Sequence, residues 1–189
     1  MKSILLGLAS ALIALSSGVA YADDYSDTVT LFKNAGQSAT FFTKSYGYAV
    51  FPTIGKGGLG VGGAHGKGQV YVHEKYVGDS TVSELSVGLQ AGGQAYSQII
   101  FFQDKRAFDE FTSGNFEFGA GIGAVAITAS AGVEANTAGS SVGAAGGKKD
   151  ASTSGKYNKG MAVFTIVKGG AMYEATLAGQ KYKYKAAAK

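Results

Sequence analysis

An α+β domain is predicted, built on a β-rich antiparallel sheet or barrel-like arrangement with an N-terminal amphipathic helix and one short internal helix. Two observations carry this. Apolar residues recur at helical spacing in only two places, near residues 25–46 and near 103–114. Elsewhere they alternate with glycine or polar residues, the two-residue period of strands.

Ahead of the first helix, Lys2 precedes the apolar run ILLGLASALIAL, and AYA ends at Ala22 as a small-x-small site. This is the layout of a secretory signal, and the run is short of the roughly twenty residues a bilayer span needs. Cleavage after Ala22 is expected, leaving residues 23–189 as a single domain, periplasmic or secreted. Removing Lys2 with the leader leaves sixteen basic against thirteen acidic residues, too mild a bias for a dedicated nucleic-acid binder. The chain has no cysteine. Disulfides, thiol catalysis and acylation at a lipoprotein cysteine are thereby excluded.

Tyr25, Val29, Phe32, Ala35, Ala39, Phe42 and Tyr46 form the stripe of the first helix, with Asp24 or Ser26 as its cap. Gly47 ends it. After Pro52, Leu59 and Val61 alternate with glycines, and Val70 and Val72 alternate with Tyr71 and His73, which predicts strands joined by Gly-rich turns. In VSELSVGLQAGGQ, Gln90, Gly92 and Gln94 share one face. SQIIFF is apolar throughout, so both of its faces should be covered. QDKRAFDEFTSG predicts the internal helix, with Ala107, Phe108 and Phe111 as its stripe and Gly114 as its stop. A long strand-like stretch follows from Phe116, then a Gly/Ser/Lys-rich loop at 139–160, then two closing β segments, MAVFTIVKGG and AMYEATLAGQKYKYK.

Eight of the fourteen positions from Gly55 to Gly68 are glycine, with lysines near both ends. As a Walker motif the stretch fails, because Gly66-Lys67 is followed by Gly68 and position 61 is valine. Gly58, Gly60 and Gly63 match GxGxxG, but a strand follows where a dinucleotide site requires a helix N-terminus. The glycines read instead as a tight β-framework, in which alternate glycines let a backbone or a ring lie flat across the strand. GSSVG at 139–143 matches a nucleophile elbow, yet Ser141 enters a low-complexity loop. His65 and His73 are the only histidines, too few for a zinc site without further ligands. No catalytic constellation, metal or cofactor is expected.

The lysines are patterned. KYKYK puts Lys181, Lys183 and Lys185 on one face of a strand, and Lys56, Lys67, Lys148, Lys149, Lys156, Lys159 and Lys168 lie in or beside Gly-rich turns. Such residues either blunt strand edges against aggregation or meet anionic lipid.

YGYAVFPTIGKGGLGVGGAHGKGQVYV, GLQAGGQAYSQIIFFQDKRAFDEF and KGGAMYEATLAGQ, in that order, resemble the three signature blocks of the SYLF domain family. The matched positions are Phe51, Pro52, Lys56, Gly57, Gly58, Gly60, Gly62, Gly63 and Gly66; apart from Lys56 they are taken as architectural. The resemblance implies a lipid-binding module, linked in eukaryotic members to phosphoinositide membranes and in some fungal members to actin. The expectation is a non-enzymatic, peripheral binder of an anionic phospholipid or phosphoinositide-like headgroup, with Lys56, Lys67, Lys168, Lys181, Lys183 and Lys185 as headgroup contacts. The alternative is a structural or stress-related envelope protein that binds a protein partner along a strand edge.

Overall fold

The computed structural model describes residues 20–118, 124–127, 155–170 and 179–188. The expected leader before Ala20, Ser141, Lys148, Lys149 and most of the 139–160 loop lie outside these residues. Among the described residues, three helices and a curled, largely antiparallel half-barrel sheet make an α+β fold.

The first helical stretch is two helices, α1 (Ala20–Asn34) and α2 (Gly36–Lys44), where one was expected. The break falls at Ala35-Gly36, and the Ser38 hydroxyl supports it by donating to the Phe32 carbonyl (2.6 Å), which also accepts from the Ala35 N–H (3.3 Å). The break rephases the apolar stripe, so that Phe41 and Ser38, not Phe42, are the buried side chains of α2. Because α1 begins at Ala20, Asp24 and Ser26 lie inside it and do not cap it.

Two long strands, β1 (Gly47–Val72) and β2 (Lys75–Phe102), form one antiparallel ribbon. Their turn is His73-Glu74, with φ of 47° and 64°, the left-handed pair that a two-residue hairpin requires. His73 is therefore a turn residue, with its ring 5.0 Å from that of Tyr46. The helix α3 (Lys105–Phe111) follows, with the Asp104 carboxylate accepting from the Ala107 N–H at 2.9 Å. The strands β3 (Phe116–Glu117) and β4 (Val125–Ile127) occupy part of the stretch expected to be one long strand. The closing strands are β5 (Met161–Gly170) and β6 (Gln180–Ala186). On the side of β2 away from β1, β6 pairs with residues 78–84 and β5 with 94–102. β3 extends the sheet beyond β6, and β4 lies beside β5 in parallel, a departure from the antiparallel expectation.

The Gly-rich stretch is not a turn between strands. It lies within β1, which stays paired to β2 through register slips at Phe51/Ile54 and Leu59/Val61. At the second slip the backbone doubles back so tightly that a Cβ on Gly58 would overlap the Val61 carbonyl and Gly62. The two halves of β1 then approach each other. A Cβ on Gly68 would sit 2.5 Å from Phe51 Cδ1 and 2.8 Å from the Val50 carbonyl oxygen, and one on Gly66 would sit 2.7 Å from Ile54 Cγ1. Glycine is required where a ring and a neighbouring backbone lie on the strand.

Folding the ribbon creates two apolar clusters. Ile99 and Phe101 face Phe32, Phe41, Val50 and Phe164 on the helix-covered side. Ile100 and Phe102 face Phe51, Phe111, Val163 and Tyr182 inside the curl. Both faces of SQIIFF are thus covered, as its unbroken apolarity implied, and each such side chain contributes about 1.5–3 kcal/mol on burial. Tyr157, near the end of the expected loop, is docked: its ring packs 5.1 Å from Phe41 and its hydroxyl lies 2.8 Å from Ser45 Oγ.

Candidate functional site

The second half of the ribbon, with β6, has one covered face and one open face. Ala64, Gly66, Gly68 and Val70 on β1, Ser80, Val82 and Glu84 on β2, and Gln180 and Tyr182 on β6 are buried. The alternate residues point outward, and the register aligns them in rows across three strands: His65–Ser83–Lys181, Lys67–Thr81–Lys183 and Gln69–Asp79–Lys185. Lys67 and Lys183 are two strand spacings apart, about 10 Å. Four predicted lysines, Lys67, Lys181, Lys183 and Lys185, therefore share one exposed surface, although more than a hundred residues separate Lys67 from the others. The acidic residues on this surface, among the described residues, are Asp79 opposite Lys185 and Glu117, which lies 3.7 Å from Lys181. Toward the bend, the same outward register carries Val61, 59% exposed, and Leu85, 76% exposed.

Lys168 is elsewhere, donating to Thr53 Oγ1 at 3.1 Å near the bend in β1. Lys56 is not placed for surface contact. Its side chain is only 7% exposed, and its ammonium donates to Glu84 Oε1 at 2.8 Å, with the Glu84 side chain 4% exposed. The strand that carries Lys56 folds over the one that carries Glu84, so the pair fastens the two halves of the ribbon from within. A lysine beside glycines in sequence has become an interior ion pair.

A polar chain extends from that pair. Gln180 Nε2 donates to Glu84 Oε2 (3.2 Å) and to the Tyr96 hydroxyl (2.9 Å), and the Tyr182 hydroxyl donates to Gln180 Oε1 (2.5 Å). Gln98 Nε2 donates to the Tyr182 hydroxyl at 2.6 Å. Burial, followed by the Glu84 carboxylate, pushes the Tyr96 phenol above its usual range, against the Gln180 hydrogen bond. Burial raises Tyr182 as well, against the Gln98 hydrogen bond. These buried groups hold the curl together. Sequence reasoning missed Glu84, Gln98 and Gln180 as a unit. The one signal was the alternation through Gln94, Tyr96 and Gln98, which continues the parity of Gln90 onto the inner face.

The glycine-motif residues serve the same closure. Phe51 is fully buried with its ring 5.6 Å from Tyr182, and the Pro52 carbonyl accepts from Ser97 Oγ at 2.7 Å. Gly57 and Gly58 pair with Gly93 and Gly92, Gly60 lies in the register slip, and Gly62 and Gly63 pair with Ser86 and Leu85. A groove of about 520 Å³ lies at the seam between the halves of β1, lined by Pro52, Thr53 and Gly55 of the first half, His65, Gly66 and Lys67 of the second, and Asp24 and Tyr25 of α1.

A family profile described as "Ysc84: Las17-binding protein actin regulator" matches residues 83–188, from within the first half of β2 almost to the C-terminus. Beta cell expansion factor A of Aeromonas veronii, a SYLF-family protein, is 33% identical over 156 residues, which cover 82% of this chain and 51% of that protein. The chain thus spans about half the length of this curated relative.

Proposed function

We propose that this chain, which belongs to the Ysc84 (SYLF) family, is a non-enzymatic domain of the periplasm that docks peripherally on anionic lipid through the open face of its sheet. The observation that carries the reading is the row geometry that gathers Lys67, Lys181, Lys183 and Lys185 on one exposed face, with exposed Leu85 and Val61 at its bend end. Cations beside a small apolar patch match a headgroup layer, because each lysine near an anionic surface contributes about 1 kcal/mol while the apolar residues enter the interface. Lys56 has no part in this contact.

The test is co-sedimentation with neutral and anionic liposomes over a salt series. Binding should require anionic lipid and weaken as salt rises, since exposed charges are screened over about 8–10 Å at physiological ionic strength. Replacing Lys181 and Lys183 by alanine should remove about 2 kcal/mol, roughly a thirtyfold loss in partitioning. Equal binding to neutral vesicles, or indifference to salt, would overturn the proposal. Absence of vesicle binding at low salt would reassign the same face to an acidic protein partner.

A further inference from the structure

We infer that the seam groove is a binding site for one phospholipid headgroup, distinct in geometry from the flat lysine face that it adjoins. This inference rests on the lipid reading above and adds a defined site to it. The groove holds about 520 Å³, within the roughly 300–1,000 Å³ of small-molecule sites. Its lining combines apolar and cationic groups, the two kinds of contact that a glycerophospholipid offers. Tyr25 from α1 and Pro52 from β1 supply apolar surface, while Lys67 and His65 supply an ammonium and an imidazole. Lys168 reaches the rim through its hydrogen bond to Thr53, a lining residue. Lys67 in the lining and Lys168 at Thr53 are the two ammonium groups available to a phosphate diester there. Asp24, also in the lining, is an acceptor suited to the hydroxyls of a polyol headgroup and unsuited to a bare dianion.

One further feature points to a lipid as the occupant. Lys67 belongs both to the groove and to the open face, so a headgroup seated in the groove keeps its acyl chains on the side where Leu85 and Val61 are exposed. The site also exists because of the glycine bend: a Cβ on Gly66 would strike Ile54 and Thr53, whereas a Cβ on Gly55 has no atom within 4 Å. Gly66 lets the walls approach, and Gly55 leaves the space between them open.

Gly55 provides the test. Gly55→Phe puts a ring where the structure has room, leaves every lysine of the open face in place, and should fill the groove without unfolding the sheet. Calorimetry with dihexanoyl phosphatidylglycerol below its micellar concentration, with glycerol 3-phosphate and with inorganic phosphate separates the sources. The short-chain lipid should bind the wild type at least tenfold tighter than either soluble phosphate, and Gly55→Phe should weaken it at least tenfold. Amide shifts at Gly55, His65 and Lys67 should accompany binding. The variant's binding to anionic vesicles should remain salt-dependent. If the short-chain lipid binds wild type and Gly55→Phe equally, or inorganic phosphate matches it, the groove site is wrong while face-mediated docking stands. Lys67→Gln/Lys168→Gln, which leaves the groove open, should lose the short-chain lipid as Gly55→Phe does; retention there would also overturn the assignment. Loss of vesicle binding by the wild type itself would instead overturn the lipid reading.

Discussion

Lys56 shows how a single residue changes meaning on folding. Among glycines it reads as a phosphate contact; in the structure it is held by Glu84 inside the curl. Removing one partner of a buried pair strands the other charge, so Lys56→Met should lose about 3–5 kcal/mol in urea unfolding. Lys56→Met/Glu84→Gln should recover most of that loss, because the amide still accepts from Gln180. A single variant as stable as wild type would contradict the interior assignment. The tyrosines make a second prediction at this scale. Burial, with Tyr71 and Glu74 adding to it, raises the Tyr48 phenol from 10.0 to about 12, and Tyr96 and Tyr182 are raised too. The folded state therefore favours neutral phenols. Their contribution is complete below pH 10, where the unfolded chain starts to ionise, and is lost as pH climbs through the raised values. The melting temperature should fall steeply between pH 10 and 12; a flat profile to pH 12 would contradict it.

β1 is the element on which the fold turns. A strand of 26 residues remains paired while doubling back only because glycines stand where its two halves meet. Gly68→Ala, whose added carbon would lie 2.5 Å from the Phe51 ring, should cost about 1–3 kcal/mol as overpacking. Gly55→Ala, with nothing within 4 Å, should leave stability unchanged within about 0.5 kcal/mol. Equal effects in chemical denaturation would mean that the halves do not meet as described. The helices divide the same ribbon differently. α1 and α2 cover the outer face of its first half through Phe32 and Phe41, and this is why lysines are exposed only on the second half.

For the whole molecule, a formal charge of only +4 gives little hint of a cationic surface. The asymmetry arises because four lysines meet on the open face while Lys56 is neutralised inside. Leu85 lies on that face and Leu31, 42% exposed, lies on α1. Leu85→Asp should reduce partitioning into anionic vesicles about tenfold or more, combining lost apolar contact with an added negative charge of about 1 kcal/mol. Leu31→Asp should change it far less. The reverse ranking in the same vesicle assay would move the docking surface to the helices.

Periodicity in the sequence determined the strand-rich α+β class, the internal helix with Ala107 and Phe111 buried, and the double-sided burial of SQIIFF. These depend on local spacing and on side-chain apolarity, which a linear reading contains. Tertiary structure alone decided that the glycine run would be one bent strand, that Ser38 would support a break between two helices, and that Lys56 would turn inward to Glu84. It also decided that Lys67 would stand in line with Lys183 across Thr81. Each of these depends on which segments meet when the ribbon folds over itself. Strand register over long separations sets those meetings, and the local pattern of any one segment does not contain it.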